Sequence, residues 1–363
     1  MNAKRPSPAD ALGENPTPPL LNGSAPHLQT NQYAQLKRLI KHNGLLDQQP
    51  AYYTVKIILT LGLFALSLTF LLILDNLWLQ LLNAAFLAFV FVQISLVAHD
   101  FGHRQFSVGG GWKNECLALV LGNLLLGLSQ QWWIDKHNAH HGHPNQLDLD
   151  PDIDMPLVAF SEDLALSKQG IARFIVKYQA YLLFPLSLLQ ALSMHLSSIQ
   201  FLIEKKAKRP LAEAIAMSAH FIVYFGLLFS LLGAWQAVLF IAIHQGLTGL
   251  YLTSIFAPNH KGMPVLENDS QLDFLRRQVL TSRNVSAHPL TDFCYGGLNY
   301  QIEHHLFPSM PRNKLREAQV IVKDFCRAHS IAYHETSVLQ SHREIFQHLH
   351  RVGTPLREAR RAS

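Results

Sequence analysis

The run Ile57 to Leu74, IILTLGLFALSLTFLLIL, is followed by Asp75-Asn76 and then by Leu77 to Ala98, LWLQLLNAAFLAFVFVQISLVA, which ends directly in His99. Each run is almost wholly apolar and, as a helix rising about 1.5 Å per residue, is long enough to cross roughly 30 Å of hydrocarbon. The two polar residues between them leave room only for a tight turn. The pair therefore reads as a helical hairpin whose second arm delivers a histidine as it leaves the bilayer. Ala214 to Leu232 and Ala237 to Ala257 repeat the pattern around Gly233-Ala-Trp235. The expected fold class is an all-α integral membrane protein: four spans in two hairpins, carrying a helical cap on one side.

The remaining segments fit around these spans. Cys116 to Leu128 is apolar but too short to cross, and Gly122, Asn123 and Gly127 interrupt it, so it reads as re-entrant or interfacial. Tyr181 to Leu196, with Pro185 inside, reads as an interfacial helix. Residues 1 to about 30 are rich in Pro, Ser, Asn and Gly and are expected to be a disordered tail. A short amphipathic helix is expected from Tyr33 to Asp47, and residues 334–363 read as a helical C-terminal tail. The short turns at Asp75 and Gly233 contain no Lys or Arg, whereas Lys37, Arg38, Arg104, Lys113, Lys205 to Arg209, Lys261, Arg276 and Arg277 all fall on the other side. The positive-inside tendency then makes that side, with both termini, cytoplasmic. The net charge of +5 is mild and no aromatic-interleaved basic stripe occurs, which excludes a nucleic-acid binder. Cys116, Cys294 and Cys326 are scattered, giving neither a disulfide framework nor a Cys-x-x-Cys metal site.

Three histidine clusters lie on that same side. His99-Asp-Phe-Gly-His103 is an i, i+4 pair, and His137-Asn-Ala-His140-His141 places three rings at i, i+3 and i+4, on one helix face. Gln301-Ile-Glu-His304-His305 repeats the second spacing with Gln in the first place. Seven imidazoles exceed what one ion takes, so two metals sharing the set is the economical reading. An all-imidazole shell suits iron, copper or zinc. Asp100, Asp135, Asp148, Asp150 and Asp152 are near enough in sequence to accept the free ring N–H groups and orient the ligands. The Asp148–Asp154 loop lacks the Gly and terminal Glu of a calcium loop. His195, His220 and His244 match no cluster spacing and are expected to be neutral packing residues. His143 and His288 are expected not to ligate.

The three clusters, with Gly296-Gly-Leu-Asn-Tyr300 and Leu306-Phe-Pro-Ser-Met-Pro311 around the third, resemble the histidine boxes of the membrane fatty acid desaturases. The Gln of the third box is similar to the front-end and linoleoyl-CoA desaturase-like branch, with its bacterial acyl-CoA members. The resemblance runs from about Tyr52 to about Tyr333 and implies a desaturase domain over residues 31–333. It implies a non-haem di-iron centre that uses O2 and two electrons to remove hydrogens from adjacent carbons of a long-chain acyl-CoA or acyl-lipid. Many front-end members carry a fused cytochrome b5 domain with a His-Pro-Gly-Gly motif, which does not occur in this sequence. Electrons are thus expected from a separate ferredoxin, cytochrome b5 or flavin reductase. Desaturases of this type are similar in having an Asn and a His after the last span. That makes His260 the expected eighth imidazole, with Asn259 and Gln301 holding a water or a ligand ring. Trp132 and Trp133 are candidates for a substrate entrance. A di-iron lipid or carotenoid hydroxylase and a zinc-dependent membrane lipid hydrolase or receptor are the alternatives.

Overall fold

The computed structural model describes residues 26–106 and 112–358. Most of the tail expected to be disordered lies outside them, and the first helix, α1 (Pro26–His42), begins a few residues before that tail was expected to end. The first hairpin follows as α2 (Pro50–Ile73) and α3 (Leu77–Gly102). Its turn is closed by side chains that replace lost backbone partners. Asn76 accepts from the amides of Trp78 and Leu79 at 2.9 and 3.2 Å, capping α3. Gln80 donates to the carbonyls of Leu71 and Leu74 at 3.0 and 2.7 Å, closing the end of α2. Within the bilayer such groups would otherwise face hydrocarbon, where each unsatisfied one is costly.

α4 (Trp112–Ala118) runs into a wider π-type turn over Leu119–Leu125, and after a sharp bend α5 (Gln130–Gly142) returns at 108°. Gly127 makes the bend with φ +66°, and a Cβ there would stand 2.4 Å from the His220 ring. The chain thus turns back on itself at this bend. α6 (Glu162–Ser167), α7 (Gly170–Lys177), α8 (Gln179–Ser187) and α9 (Gln190–Ile203) follow, with α8 and α9 bent by 70°. The second hairpin is α10 (Pro210–Leu231) and α11 (Ala234–His260). The described residues thus hold four helices long and apolar enough to cross a membrane, or six if each bent pair counts as one. α3 is the central one: 67% of its apolar window is buried, against 17% for α2. It packs most extensively on α11 and α2.

The cap is built from α12 (Phe274–Leu280), α13 (Pro289–Cys294), α14 (Gln301–Leu306), α15 (Leu315–Ala328), α16 (Val338–Val352) and α17 (Thr354–Glu358). Two parallel two-residue strands, β1 (Asn284–Val285) and β2 (Glu335–Thr336), tie its halves together. Its own core, including Leu36, Ile40, Leu275, Ile302, Leu315 and Val322, is separate from that of the spans. Three of the intramembrane histidines pack rather than converge on the boxes. His195 bonds the Gly127 carbonyl at 3.0 Å, His220 that of Leu124 at 3.1 Å, and His244 the Tyr224 hydroxyl at 2.7 Å.

Candidate metal centre

Four helices deliver eight imidazoles to one buried space. The last turn of α3 carries His99 and His103, α5 carries His137, His140 and His141, the end of α11 carries His260, and α14 carries His304 and His305. One ring nitrogen each of His99, His103, His137 and His304 fall within 4.8 Å of one another, and so do those of His140, His260 and His305. His141 stands between the two groups. Its Nε2 is 3.0 Å from that of His137, and its ring stacks on His305 at 4.2 Å between centroids.

Hydrogen bonds at Nδ1 fix which nitrogen points inward. His99 donates to Asp100 at 3.2 Å, His140 to Asp150 at 2.9 Å, His260 to the Thr281 carbonyl at 3.1 Å, and His305 to Gln278 at 2.8 Å. Each of these rings therefore turns its Nε2 to the centre. The Nε2 atoms of His140 and His260 then face each other at 3.2 Å. Two nitrogens bound to one ion at about 2.1 Å are about 3.0–3.4 Å apart between right-angle and tetrahedral geometry. Nε2 of His99 and His305 and both ring nitrogens of His304 are buried without any partner. Burial first, and then the crowding of the rings on one another, holds His103, His137, His141, His304 and His305 well below the ordinary imidazole range. They are neutral, the form that binds metal. The donor set fits two cations.

Outside the rings the arrangement is partly as expected. Asp100 and Asp150 orient His99 and His140. Asp100 is itself held by the buried Arg312, which also bonds the Leu96 carbonyl. Asp135 and Asp148 take no part. The first bonds Gln131 at 2.6 Å on the exposed side of α5, and the second sits exposed in a left-handed turn at φ +62°. Asp152 instead pairs with Lys136 and lies 3.5 Å from His140 Nδ1. Gln301 contacts His260 Nε2 at 2.9 Å, and Asn259 donates to its carbonyl oxygen at 2.9 Å. Turning both amides over gives the unpartnered Oδ1 of Asn259 a donor and aims the Gln301 oxygen at the His140–His260–His305 group. Trp133 stacks on His137 at 4.4 Å and lies edge-on to His99 at 5.4 Å, so it walls the centre. Trp132 makes no ring contact with the histidines, its amide bonding Ser129. His143 bonds Gln146, and His288 caps α13, both outside the centre.

Several residues escaped the sequence reading. Gln278 and Thr281 pin two rings, yet neither belongs to a histidine cluster. Glu303 lies inside the third box, fully buried, bonded by Asn284 at 2.6 Å and Tyr333 at 2.8 Å. Burial pushes its carboxyl up to about 7.

The comparisons agree with this geometry. The profile of the fatty acid desaturase family matches residues 76–337, a stretch that contains all three boxes. The chain is 31% identical over 343 residues to an acyl-lipid (9-3)-desaturase of Physcomitrium patens, covering 89% of this chain and 61% of that protein. It is 32% identical to the Delta(6)-fatty-acid desaturase fat-3 of Caenorhabditis elegans, covering 83% and 70% respectively. A Delta(8)-fatty-acid desaturase of Euglena gracilis is 29% identical, covering 88% and 78%. The chain spans about three fifths of the length of the Physcomitrium protein. With most of its length matched by the profile, and with two relatives above 30% identity, this chain belongs to the fatty acid desaturase family.

Proposed function

We propose that the chain is an O2-dependent di-iron fatty acyl desaturase of the front-end type, acting on a long-chain acyl-CoA or acyl-lipid. The eight imidazoles would hold the two irons: His99, His103, His137 and His304 around one, His140, His260 and His305 around the other, with His141 between. Bound there, the pair would supply the oxidising chemistry by which O2 takes two electrons and two protons from the donor side, and two hydrogens with their electrons from adjacent acyl carbons, to give two waters and a double bond. The residues of the chain do the rest. Asp100, Asp150, Gln278 and the Thr281 carbonyl keep the ring protons at Nδ1. Gln301 and Asn259 hold a water or an oxygen donor beside His260. Trp133 covers the His137 ring and excludes bulk water from that side. The box-bearing ends of the helices, and both termini, are assigned to the cytoplasmic face, where a ferredoxin, cytochrome b5 or flavin reductase can bring electrons.

The observation that carries this reading is the convergence of the ring nitrogens in two groups, with the Nε2 atoms of His140 and His260 facing each other at 3.2 Å, the separation of two donors on one cation. The names of the relatives support the acyl substrate. Expression in a host supplied with defined long-chain acids, followed by gas chromatography of the methyl esters, should yield a new unsaturated species. A hydroxy acid in its place would move the chain to the hydroxylases. Iron analysis of the purified chain should give two ions. A fully active protein with one would overturn the paired centre.

A further inference from the structure

The last turn of α11, which carries His260, is intrinsically weak. Pro258 has no amide proton for the Ser254 carbonyl, and the Tyr295 hydroxyl supplies the missing donor at 3.2 Å. Beyond it, four successive carbonyls at the helix end each find a donor from elsewhere in the chain. Arg283 Nε bonds the Pro258 carbonyl at 2.6 Å, and the Arg283 amide bonds that of Asn259 at 2.8 Å. Asn145 bonds that of His260 at 3.0 Å, and an Arg283 terminal nitrogen bonds that of Lys261 at 3.0 Å. One arginine thus wraps three of the four.

Arg283 is 0% exposed, and a buried guanidinium is tolerated only when a counter-charge is supplied. That charge is Glu344 of α16, whose Oε2 lies 2.6 Å from the remaining Arg283 nitrogen. Glu344 also accepts from His334 at 3.0 Å and Gln340 at 3.1 Å, so its own rotamer is fixed. Gly262, in a left-handed turn at φ +90°, brings the chain after α11 against the backbone of the same residue. α16 is seated independently, through Gln179 to the Leu349 carbonyl at 3.2 Å and His348 to that of Phe160 at 3.1 Å. It lies wholly beyond residue 337, where the family profile ends.

We propose that Glu344, acting through Arg283, is a positioning residue for His260, which makes the C-terminal helix part of the metal centre. Without the carboxylate, the guanidinium turns toward water and releases the Pro258 and Lys261 carbonyls. The last turn of α11 then frays and takes His260 with it. The other ligands, on α3, α5 and α14, keep their own supports. The inference rests on His260 being a ligand.

Metal-free full-length protein in micelles, titrated with Co(II) and followed by its ligand-field absorption, tests this. The wild type should fill in two steps. A single one-ion step would overturn the two-ion reading itself. With two wild-type steps, Glu344→Gln should weaken one by roughly 10- to 100-fold, the usual effect of losing an outer partner, and leave the other unchanged. Glu344→Asp should recover part of the loss. Hydrogen exchange at Lys261 and Met263 should quicken in metal-free Glu344→Gln. Two unaltered steps with unaltered exchange would overturn the proposal. Should Glu344→Gln give no soluble protein, Arg283→Lys, whose one nitrogen replaces three that each hold a different partner, must show the same selective weakening, and unaltered binding there overturns the proposal.

Discussion

At the scale of single residues, the centre depends on a side chain that is missing. A Cβ on Gly102, between the two histidines of the first box, would stand 2.4 Å from the Trp133 ring. Gly102→Ala must therefore push Trp133 off the His137 ring. Overpacking of this kind costs about 1–3 kcal/mol. The variant should show a lowered melting temperature and a large loss of activity, while Trp133→Phe in the Gly102→Ala background should recover part of both. Gln301 makes the opposite case, since it is present where the second box has a histidine. Its amide touches His260 but is a weak donor to metal. Gln301→Ala should keep close to two irons by elemental analysis while activity falls roughly 10- to 100-fold; loss of a whole ion would make Gln301 a full ligand. The spacing of the boxes revealed all seven of their histidines because i, i+3 and i+4 positions share a helix face. Gln278, Thr281, Arg283 and Glu344 left no such trace. Each acts through a contact with a residue remote in sequence, and in isolation each looks like an ordinary polar residue of a cap.

At the scale of elements, α3 is held at its box-bearing end by a segment over two hundred residues away. Arg312, just after α14, pairs with the buried Asp100 and bonds the Leu96 carbonyl. The Tyr53 hydroxyl of α2 accepts from the Arg312 amide at 3.2 Å, and Gln105 donates to the Pro308 carbonyl at 2.8 Å. The hairpin and the third box are thereby fixed to one another. Arg312→Met keeps the bulk but strands a buried carboxylate, a change that costs about 3–5 kcal/mol. A drop in melting temperature should follow, and Asp100→Asn with Arg312→Met should be less damaging than Arg312→Met alone. A strictly additive pair would show that the two residues are not coupled. The four long apolar helices were legible in advance because hydrocarbon demands long apolar runs. The helices in fact extend several residues past them, to Gly102 and His260, because the cap continues to protect their backbone once the bilayer ends.

At the scale of the whole molecule, the proposed orientation has a direct test. Reporter fusions after Asp75 and Gly233 should read out on the far side of the membrane, and fusions after Arg104 and Lys261 on the cytoplasmic side. A histidine box on the far side would break the shared centre. The length of α3 carries one more consequence. Its 26 residues extend about 39 Å at about 1.5 Å per residue, against roughly 30 Å of hydrocarbon. Standing along the membrane normal with its first turn at the far edge of the hydrocarbon, α3 would lift the turn that bears His99 and His103 above the oil, and the acyl tail of the proposed substrate would have to climb out of the leaflet to be reached. Helix length works as a stilt, and the climb is the difference between the stilt and the thickness of the membrane. In nanodiscs of increasing lipid chain length the climb shortens, so for a lipid-borne substrate the apparent KM should fall while the turnover number holds. The membrane's thickness would then act as a dial on substrate delivery, turned by the same class of acyl chains that the proposed reaction modifies.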